Sequence, residues 1–226
     1  MTDTGHYDTE AHNPPEDANW AARRELGQAL RRMTRAVVTA AAETDAMVGA
    51  AELINEHAAL LEQSPQKFGK EAHIDPTDDP YRQGGMVSYE TSPISGHCNP
   101  VAPPMNIWID GDKARGRVTM DWQYEGPPGC VHGGWVAALF DDFLGMAQKL
   151  TGQPGFTGTL NVRYVKPTPL EKELTLLGWV ERVEGRKNIL CGEMYAGSLL
   201  TARAEGLFVN MPAGYLDGVK ASDDYR

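Results

Sequence analysis

The sequence predicts an α+β fold in which an antiparallel sheet curves round one long buried helix. The first observation behind this prediction is an apolar run from Trp135 to Ala147 that lacks the polar face of a surface helix. The second is a series of short segments of alternating hydrophobicity, separated by glycine-containing turns, which is typical of antiparallel strands. A single apolar helix combined with such a run of strands favours an α+β arrangement.

The first third of the chain differs in composition from the rest. Residues 1–16 are polar and acidic, so we predict a disordered tail. Apolar residues then recur at helical spacing over 17–42 and 44–61, which predicts a helical extension at 17–65, a pair of helices packed on the rest of the chain. Residues 66–85 are rich in proline and glycine and are interpreted as a linker. A solvated basic face is the simplest explanation for five arginines of the first helix: Arg23, Arg24, Arg31, Arg32 and Arg35.

The main domain is predicted at residues 86–212, followed by a frayed tail at 213–226. A turn is expected at Gly111–Asp112, between two strands. The buried helix is expected to end near Gly152, because glycine commonly closes a helix. Strands are predicted at Met86–Glu90, Asn106–Asp110, Ala114–Trp122, Thr159–Val165, Leu174–Val183, Asn188–Tyr195 and Leu199–Val209.

Composition restricts the classes of function. The 226 residues carry a formal net charge of −10, which argues against general nucleic-acid binding. No apolar run reaches 18 residues, so we predict no membrane span. The amino terminus lacks the basic and apolar regions of a secretory signal. Three cysteines without a CxxC pair are most simply reduced thiols, and we therefore expect a cytoplasmic protein.

The centre of the sequence carries a motif with defined spacing. The segment Glu125–Gly134 reads Glu-Gly-Pro-Pro-Gly-Cys-Val-His-Gly-Gly, and Asp141 follows nine residues after its histidine. The segment Pro154–Pro167 then contains an alternating strand. Together these features resemble the hot-dog-fold acyl-CoA thioesterases of the phenylacetate-pathway type and the mammalian thioesterase-superfamily group. The resemblance covers roughly residues 86–211 and implies the hot-dog fold, with the Pro154–Pro167 segment as its central strand.

Asp141 is the main candidate for catalysis. It lies in an apolar helix, where an ionised carboxylate costs several kcal/mol unless it is paired or hydrated, and where desolvation strengthens its basicity. The resemblance implies that this carboxylate either deprotonates water or attacks the thioester itself, and the sequence leaves both routes open. A structural acid that caps a backbone group or pairs with an arginine is the alternative. Asp142 lies about 100° round the helix, so a structural hydrogen bond is expected for it.

Several neighbouring positions complete the candidate site. Free N–H groups at a helix amino terminus accept negative charge, and the resemblance assigns the oxyanion donor to the Gly133 amide, with Gly134 beside it. His132 is expected to orient these groups by hydrogen bonding, with a role as a base as the alternative. Thr157 aligns with a hydroxyl that places water in relatives. Ordinary structural roles are the alternative at Gly133, Gly134 and Thr157. Gly126 departs from the pattern, because some relatives carry at this position an asparagine that helps to polarise the carbonyl.

The phosphates of coenzyme A need local cations in an acidic protein. Four basic residues are candidates for contact with these phosphates: Arg163, Lys166, Arg186 and Lys187. Solvated surface charge explains each of them equally well. No cofactor is expected, since coenzyme A enters as part of the substrate. No metal is expected either, because the separations of His97–Cys98, Cys130 and His132 fit no familiar zinc pattern.

The resemblance implies an acyl-CoA thioesterase acting on a fatty or aryl acyl group and at least a homodimer, with a dimer of dimers or a hexamer as further options. We expect each active site to be shared between two subunits. Gly134 and Asp141 lie about 10 Å apart along one helix, so one chain cannot bring both the oxyanion donor and the attacking group to a single thioester carbonyl. Two alternatives are a catalytically silent acyl-CoA sensor or scaffold, and a hot-dog hydratase, whose relatives carry different histidine motifs. Four side chains are candidates to line an aromatic or a fatty pocket: Trp135, Phe143, Met146 and Phe156.

Overall fold

The computed structural model describes residues 18–68, 89–153 and 155–211. The chain divides into two compact units between Ala102 and Pro103, which we call the helical unit and the sheet unit. The predicted disorder of residues 1–16, the predicted tail at 213–226 and nearly all of the predicted linker lie outside the described residues. So does residue 17, at the start of the predicted extension.

The sheet unit contains six strands and one long helix, and every strand pairs antiparallel to its neighbours. Gly111 closes the first hairpin with a φ of 61°, as the turn prediction requires. Gly152 adopts a φ of 65° after a short 3₁₀ turn that follows the helix. The elements in chain order are β1 (Asn106–Asp110), β2 (Lys113–Thr119), α3 (Gly133–Ala147), β3 (Phe156–Tyr164), β4 (Glu173–Glu184), β5 (Lys187–Ala196) and β6 (Leu199–Val209).

The strand order is β1-β2-β4-β5-β6-β3. β3 lies at the edge and pairs only with β6 among the described strands, so the prediction that this segment is a central strand is wrong for the single chain. Its residues are exposed except for two half-buried positions, Leu160 and Val162. An edge strand leaves one row of backbone N–H and C=O groups open to pairing with another strand.

The core lies between α3 and one face of the sheet. Phe140, Phe143 and Leu144 of the helix have no exposed surface. The strands pass close to these rings, since a Cβ on Gly178 would lie 2.8 Å from Phe143 Cε1. A glycine in the middle of a strand therefore allows the helix to pack directly on the backbone of the sheet.

The opposite side of α3 is open, which corrects the expectation of a helix wrapped by other structure. Gly134 and Asp141 are exposed, and Ala137, Ala138 and Gly145 between and beyond them are only half-buried. These positions recur at helical spacing, so they form one continuous face. The long apolar run thus combines a core face with a second face of small residues and one carboxylate.

The helical unit begins with α1 (Ala18–Thr39) and α2 (Thr44–Glu62), close to the predicted limits of both helices. The strand predicted at Met86–Glu90 is wrong where it can be compared, because Tyr89 and Glu90 lie in a helical turn. The reason is tertiary: the Glu90 carbonyl accepts from the Cys98 N–H at 2.9 Å, and the Glu90 carboxylate accepts from Arg24 Nε at 3.2 Å. Residues 86–88 lie outside the described residues.

One face of α1 packs on residues 89–102. Arg31 donates to the carbonyls of His97 and Asn99, at 3.1 Å and 3.0 Å. A Cβ on Gly27 would lie 2.9 Å from the Cys98 carbonyl oxygen, so the backbones approach closely. We call this face, formed by Trp20, Arg24, Gly27 and Arg31, the packed face of α1.

α2 behaves differently, because none of its residues is buried. The prediction of two helices packed on the rest of the chain therefore holds for α1 and fails for α2. Among the helices of the described residues, none has the length and apolarity needed to cross a membrane.

Candidate active site

The amino end of α3 is capped by the residue that precedes it. His132 is extended (φ −60°, ψ 133°), and its Nδ1 accepts a hydrogen bond from the Gly134 N–H at 3.0 Å. This bond satisfies one of the four N–H groups that a helix leaves without an internal partner. Because Nδ1 is the acceptor, the neutral imidazole carries its proton on Nε2. In this structure His132 is therefore the cap of α3.

The peptide group between Gly133 and Gly134 is held from both sides. Its N–H donates to His132, and its carbonyl oxygen accepts from the Tyr164 hydroxyl at 2.8 Å. The Tyr164 ring also lies 3.4 Å from the position that a Cβ on Gly133 would occupy. Two hydrogen bonds on one peptide fix its plane, directly beside the Gly133 N–H. Tyr164 is not among the residues predicted from the sequence, although it lies in the segment that carries the family resemblance.

The Gly133 N–H itself makes no hydrogen bond to any described residue. It belongs to the first turn of α3, where N–H groups point outward and the helix dipole is positive. The next amide, that of Gly134, is already occupied by His132. Of these two glycine amides, only that of Gly133 is thus available to an incoming oxyanion.

Asp141 and Thr157 form a second cluster. The Thr157 hydroxyl donates to Asp141 Oδ1 at 2.8 Å. A β-bulge at Gly158 breaks the register, so that Thr157 opposes Phe208 while Thr159 opposes Leu207. Bulges redirect side chains, and this one turns Thr157 toward the core side of the sheet, where α3 lies. One carboxylate oxygen is thus fixed by a hydroxyl, and the other is open.

Asp141 is exposed in the single chain, which corrects the expectation of a carboxylate desolvated by an apolar sheath. Neighbouring Asp142 is half-buried, and the two point in different directions, as helical geometry requires. Desolvation of Asp141 therefore needs something that covers this face of α3, either a substrate or a second chain.

The two clusters lie well apart within one chain. Gly133 and Asp141 are eight residues apart on α3, about 12 Å along its axis. β3 runs beside the helix and contacts it at two places, with Thr157 at Asp141 and Tyr164 at Gly133. The structure thus brings Thr157 to Asp141 and His132 to the two glycines, but it does not bring the acid to the free amide.

The four candidate phosphate-binding residues also fall into two groups, one at each end of β3, and all four are exposed. Lys187 opposes Val209, which opposes Phe156, so Arg186 and Lys187 lie at the Thr157 end of the sheet. Arg163 lies at the other end of β3, about 23 Å away at 3.3 Å per residue, and Lys166 follows it. One chain therefore offers two separate pairs of cations.

The loop before α3 explains the departure at Gly126. A Cβ at this position would lie 2.6 Å from the His132 Cα, closer than such atoms approach. The Gly126 N–H and the His132 N–H are bound within the loop, to the carbonyls of Cys130 and Tyr124. An asparagine cannot occupy this position without moving the backbone of the helix cap. The second carbonyl donor of some relatives is therefore sterically incompatible with this loop.

Of the four candidate pocket residues, Phe143 and Met146 are fully buried in the core. Trp135 and Phe156 keep exposed surface, and the Trp135 ring meets Tyr124 edge-to-face at 4.9 Å between centroids. The described residues contain no group of three or more His, Cys, Asp or Glu side chains placed to hold a metal ion. The three cysteines are free thiols, and burial raises the pKa of Cys191.

Comparisons with known proteins agree on one family. Residues 128–202 match the family model described as Thioesterase superfamily. A crystal structure described as a thioesterase superfamily protein has 33% identity and a TM-score of 0.70, and the match covers 87% of this chain and 92% of that chain. The predicted resemblance and the predicted fold class are confirmed by these similarities.

Curated relatives match a smaller part of the chain. Acyl-coenzyme A thioesterase THEM4 of Xenopus laevis is 33% identical over 89 residues, which are 38% of this chain and 40% of that protein. THEM4 of Bos taurus is 32% identical over 89 residues, 38% of this chain and 36% of that protein. The match thus spans less than half the length of these relatives.

Proposed function

The chain belongs to the thioesterase superfamily, and from that premise we propose that it hydrolyses the thioester of an acyl-CoA to the free acid and coenzyme A. The observation that carries this proposal is the hydrogen bond from Thr157 to Asp141, on the same open face of α3 that begins at the free Gly133 amide. The named activity of the curated relatives supports the same substrate class. A fatty or an aryl acyl group and a cytoplasmic location are parts of the proposal.

In the general-base route, the open oxygen of Asp141 takes a proton from water, and the resulting hydroxide attacks the thioester carbon. Thr157 holds the other oxygen and so orients the carboxylate. The tetrahedral oxyanion accepts the Gly133 N–H at the positive end of α3. The C–S bond then breaks, and the proton taken by Asp141 goes to the sulfur of coenzyme A. In the nucleophilic route Asp141 attacks the thioester carbon, and the C–S bond breaks with release of the coenzyme A thiolate. Water then hydrolyses the mixed anhydride to the free acid and the Asp141 carboxylate, and a proton from that water goes to the thiolate.

We propose further that each site is shared between two chains. A thioester carbonyl needs the oxyanion donor and the attacking group within about 3 Å of its atoms, whereas Gly133 and Asp141 of one chain lie about 12 Å apart. The open edge of β3 and the open face of α3 are adjacent surfaces through which a second copy can approach. A two-fold axis places Asp141 of one copy near Gly133 of the other and makes two equal sites. It also brings the two separate cation pairs together.

Asp141→Ala tests the chemistry. Thiol release is followed over a series of acyl-CoAs, from acetyl through palmitoyl to phenylacetyl. We expect a loss of about 10²-fold or more in kcat/KM with an unchanged thermal unfolding midpoint, because the variant removes the base and little packing. Asp142→Ala is the matched control, with the same deletion one residue along the helix, and is expected to be milder. Binding of acyl-CoA without turnover by the wild type would support the silent sensor instead.

A complementation experiment tests the shared site. Gly133→Pro removes the donor N–H and suits the local structure, because proline is favoured in a first helical turn and His132 is already extended before it. In a mixed dimer with Asp141→Ala, one site carries both defects and the other carries none. Exchange at equal amounts is therefore expected to restore about a quarter of wild-type activity. Sites contained within single chains restore nothing, and Gly133→Ala, which keeps the N–H, serves as the control.

A further inference from the structure

The start of β3 carries Thr157, yet the sheet supports this part of the strand on one side only. Phe156 and Thr157 pair with β6, and the register then shifts at the bulge. Among the described strands, none pairs with the other edge of β3. The end of an edge strand beside a bulge has few hydrogen bonds to hold it, so such segments fray readily. The Thr157 hydroxyl nevertheless needs a fixed position to donate to Asp141 at 2.8 Å.

A buried side-chain amide holds Gly155, the residue just before β3. Gln148 follows α3 and is only 3% exposed. Its Oε1 accepts from the Gly155 N–H at 2.7 Å, and its Nε2 donates to the Gly155 carbonyl at 3.2 Å. In an antiparallel sheet, a residue of the neighbouring strand makes this pair of hydrogen bonds. Gln148 thus takes the place of a strand neighbour at the beginning of β3.

The backbone before β3 is held on other sides as well. A Cβ on Gly155 would lie 2.5 Å from the carbonyl carbon and oxygen of Val209 in β6, which leaves no room for a side chain. Asn188 is fully buried, and its Nδ2 donates to the Gln153 carbonyl at 2.5 Å. Two buried amides and a close backbone contact therefore hold Gln153 and Gly155.

Gln148 and Asp141 lie on the same side of the helix. Gln148 continues the helical backbone beyond α3, with φ −57° and ψ −22°. Seven residues are about two helical turns, so the two side chains point within about 20° of each other. The Asp141 carboxylate accepts from Thr157. Gln148 reaches the chain two residues earlier, at Gly155. The helix is thus attached to the start of β3 at two points, and only the first lies at the proposed chemistry.

We propose that Gln148 is a positioning residue for the pair formed by Asp141 and Thr157. It holds Gly155, which fixes the path of the backbone into β3 and keeps the Thr157 hydroxyl on one carboxylate oxygen. This inference rests on the proposed function, in which Asp141 is the base or the nucleophile. The Gln148 amide is engaged at both ends, since Nε2 also donates to the Gly145 carbonyl at 3.3 Å. Gln148 therefore acts through Thr157 and not on the substrate.

Gln148→Met tests the positioning without any substrate, because methionine has a similar length and makes neither hydrogen bond to Gly155. The Thr157 rotamer is measured from three-bond couplings to its Cγ2, and hydrogen exchange is measured at the Gly155 amide. In the wild type we expect a single rotamer and slow exchange. In Gln148→Met we expect averaged rotamers and exchange faster by about tenfold or more.

The wild-type values by themselves can overturn the proposal. A rapidly exchanging Gly155 amide or an averaged Thr157 rotamer in the wild type contradicts it, and no variant is needed for that result. An unchanged Thr157 rotamer in folded Gln148→Met also overturns it.

A double-mutant cycle then connects the position of Thr157 to the chemistry. kcat and KM for an acyl-CoA are measured for the wild type, Gln148→Met, Thr157→Val and the double variant. We expect Gln148→Met to lower kcat by about tenfold with KM within about twofold, and to have no further effect in the Thr157→Val background. Equal factors in both backgrounds mean that Gln148 only stabilises the fold, and they overturn the proposal. A wild type that turns over no acyl-CoA contradicts the proposed function, whereas the exchange and rotamer results still decide whether Gln148 positions Thr157.

Thr201→Val is the matched control for stability. Thr201 is fully buried and donates to the Met194 carbonyl at 3.1 Å, so this variant also removes a buried hydrogen bond of the sheet unit with little change in side-chain size. We expect it to lower the thermal unfolding midpoint and to leave kcat and the Thr157 rotamer unchanged. A loss of kcat equal to that of Gln148→Met would assign both losses to stability and overturn the proposal.

Discussion

Two helices of this chain, α2 and α3, have similar lengths and very different surroundings. α3 has 15 residues and buries seven of them, whereas α2 has 19 residues and buries none. Both contain several alanines and leucines, although α3 also carries one tryptophan and two phenylalanines and α2 carries none. The difference is that α3 has a six-stranded sheet of the same unit to pack on, and α2 has no such surface among the described residues. The apolar content of a helix thus predicts that other structure will cover it, but it does not identify that structure.

The comparison is sharpest for large apolar side chains. Phe140→Ala in α3 removes a fully buried ring, and we expect the free energy of unfolding to fall by about 3–5 kcal/mol. Leu53→Ala in α2 removes a side chain that is 60% exposed, and we expect a change within about 0.5 kcal/mol. Urea unfolding followed by tryptophan fluorescence measures both. Similar losses for the two variants would mean that another surface covers Leu53.

Glycine-to-alanine substitutions are expected to change the stability of the protein in opposite directions in the two units. An added Cβ on Gly178 lies 2.8 Å from the Phe143 ring, so Gly178→Ala overpacks the core and is expected to cost about 1–3 kcal/mol. An added Cβ on Gly49 meets nothing within 4 Å, so Gly49→Ala is expected to stabilise α2 by about 0.5–1 kcal/mol. Thermal unfolding of both variants checks the two signs. Destabilisation by Gly49→Ala would show that a neighbour lies against that side of α2.

A pH dependence of stability is expected in the helical unit. Burial, followed by the hydrogen bond to Glu90 and the charge of that carboxylate, raises the pKa of the Cys98 thiol to about 12. The folded state then holds this proton more tightly than the unfolded state, whose thiol titrates near 9.0. The stabilisation is fully present below pH 9 and is lost as pH rises toward 12.

Cys98→Ser removes the titrating thiol and serves as the comparison. We expect the unfolding midpoint of the wild type to fall more steeply with pH than that of the variant above pH 9. Parallel curves for the two proteins would show that the environment of Cys98 is the same in the folded and unfolded states. The same pKa shift predicts slow alkylation of Cys98 at neutral pH, because the thiolate is the reactive form.

Most of the secondary structure could be predicted because its signals are local. Helical spacing located α1 and α2, and alternation located β1 to β6 to within a few residues. The strand expected at Met86–Glu90 failed at Tyr89 and Glu90 for a reason that is not local. Glu90 accepts a hydrogen bond from the Cys98 N–H, eight residues along the chain, and forms an ion pair with Arg24, 66 residues away, and these contacts hold a helical turn there.

The candidate site was only partly predictable. His132, Gly133, Asp141 and Thr157 were identified from spacing and resemblance, and the structure adds two contacts that connect them to β3. Tyr164 was missed because strict alternation along a strand places positions 157 and 164 on opposite faces. Their catalytic roles stay predictions until the variants are measured.

The sequence by itself determined the order of the elements and the nine-residue separation of His132 from Asp141, because each depends on residues close together in the chain, and its resemblance to known thioesterases implied the hot-dog fold class. Only the tertiary structure decided which faces those residues occupy. The bulge at Gly158 reverses the alternation of β3 and brings Thr157 and Tyr164 to the same side, and the strand order leaves β3 at an edge with Asp141 exposed. The physical reason is that register and strand order are set by pairing between distant segments, whereas periodicity is set within one.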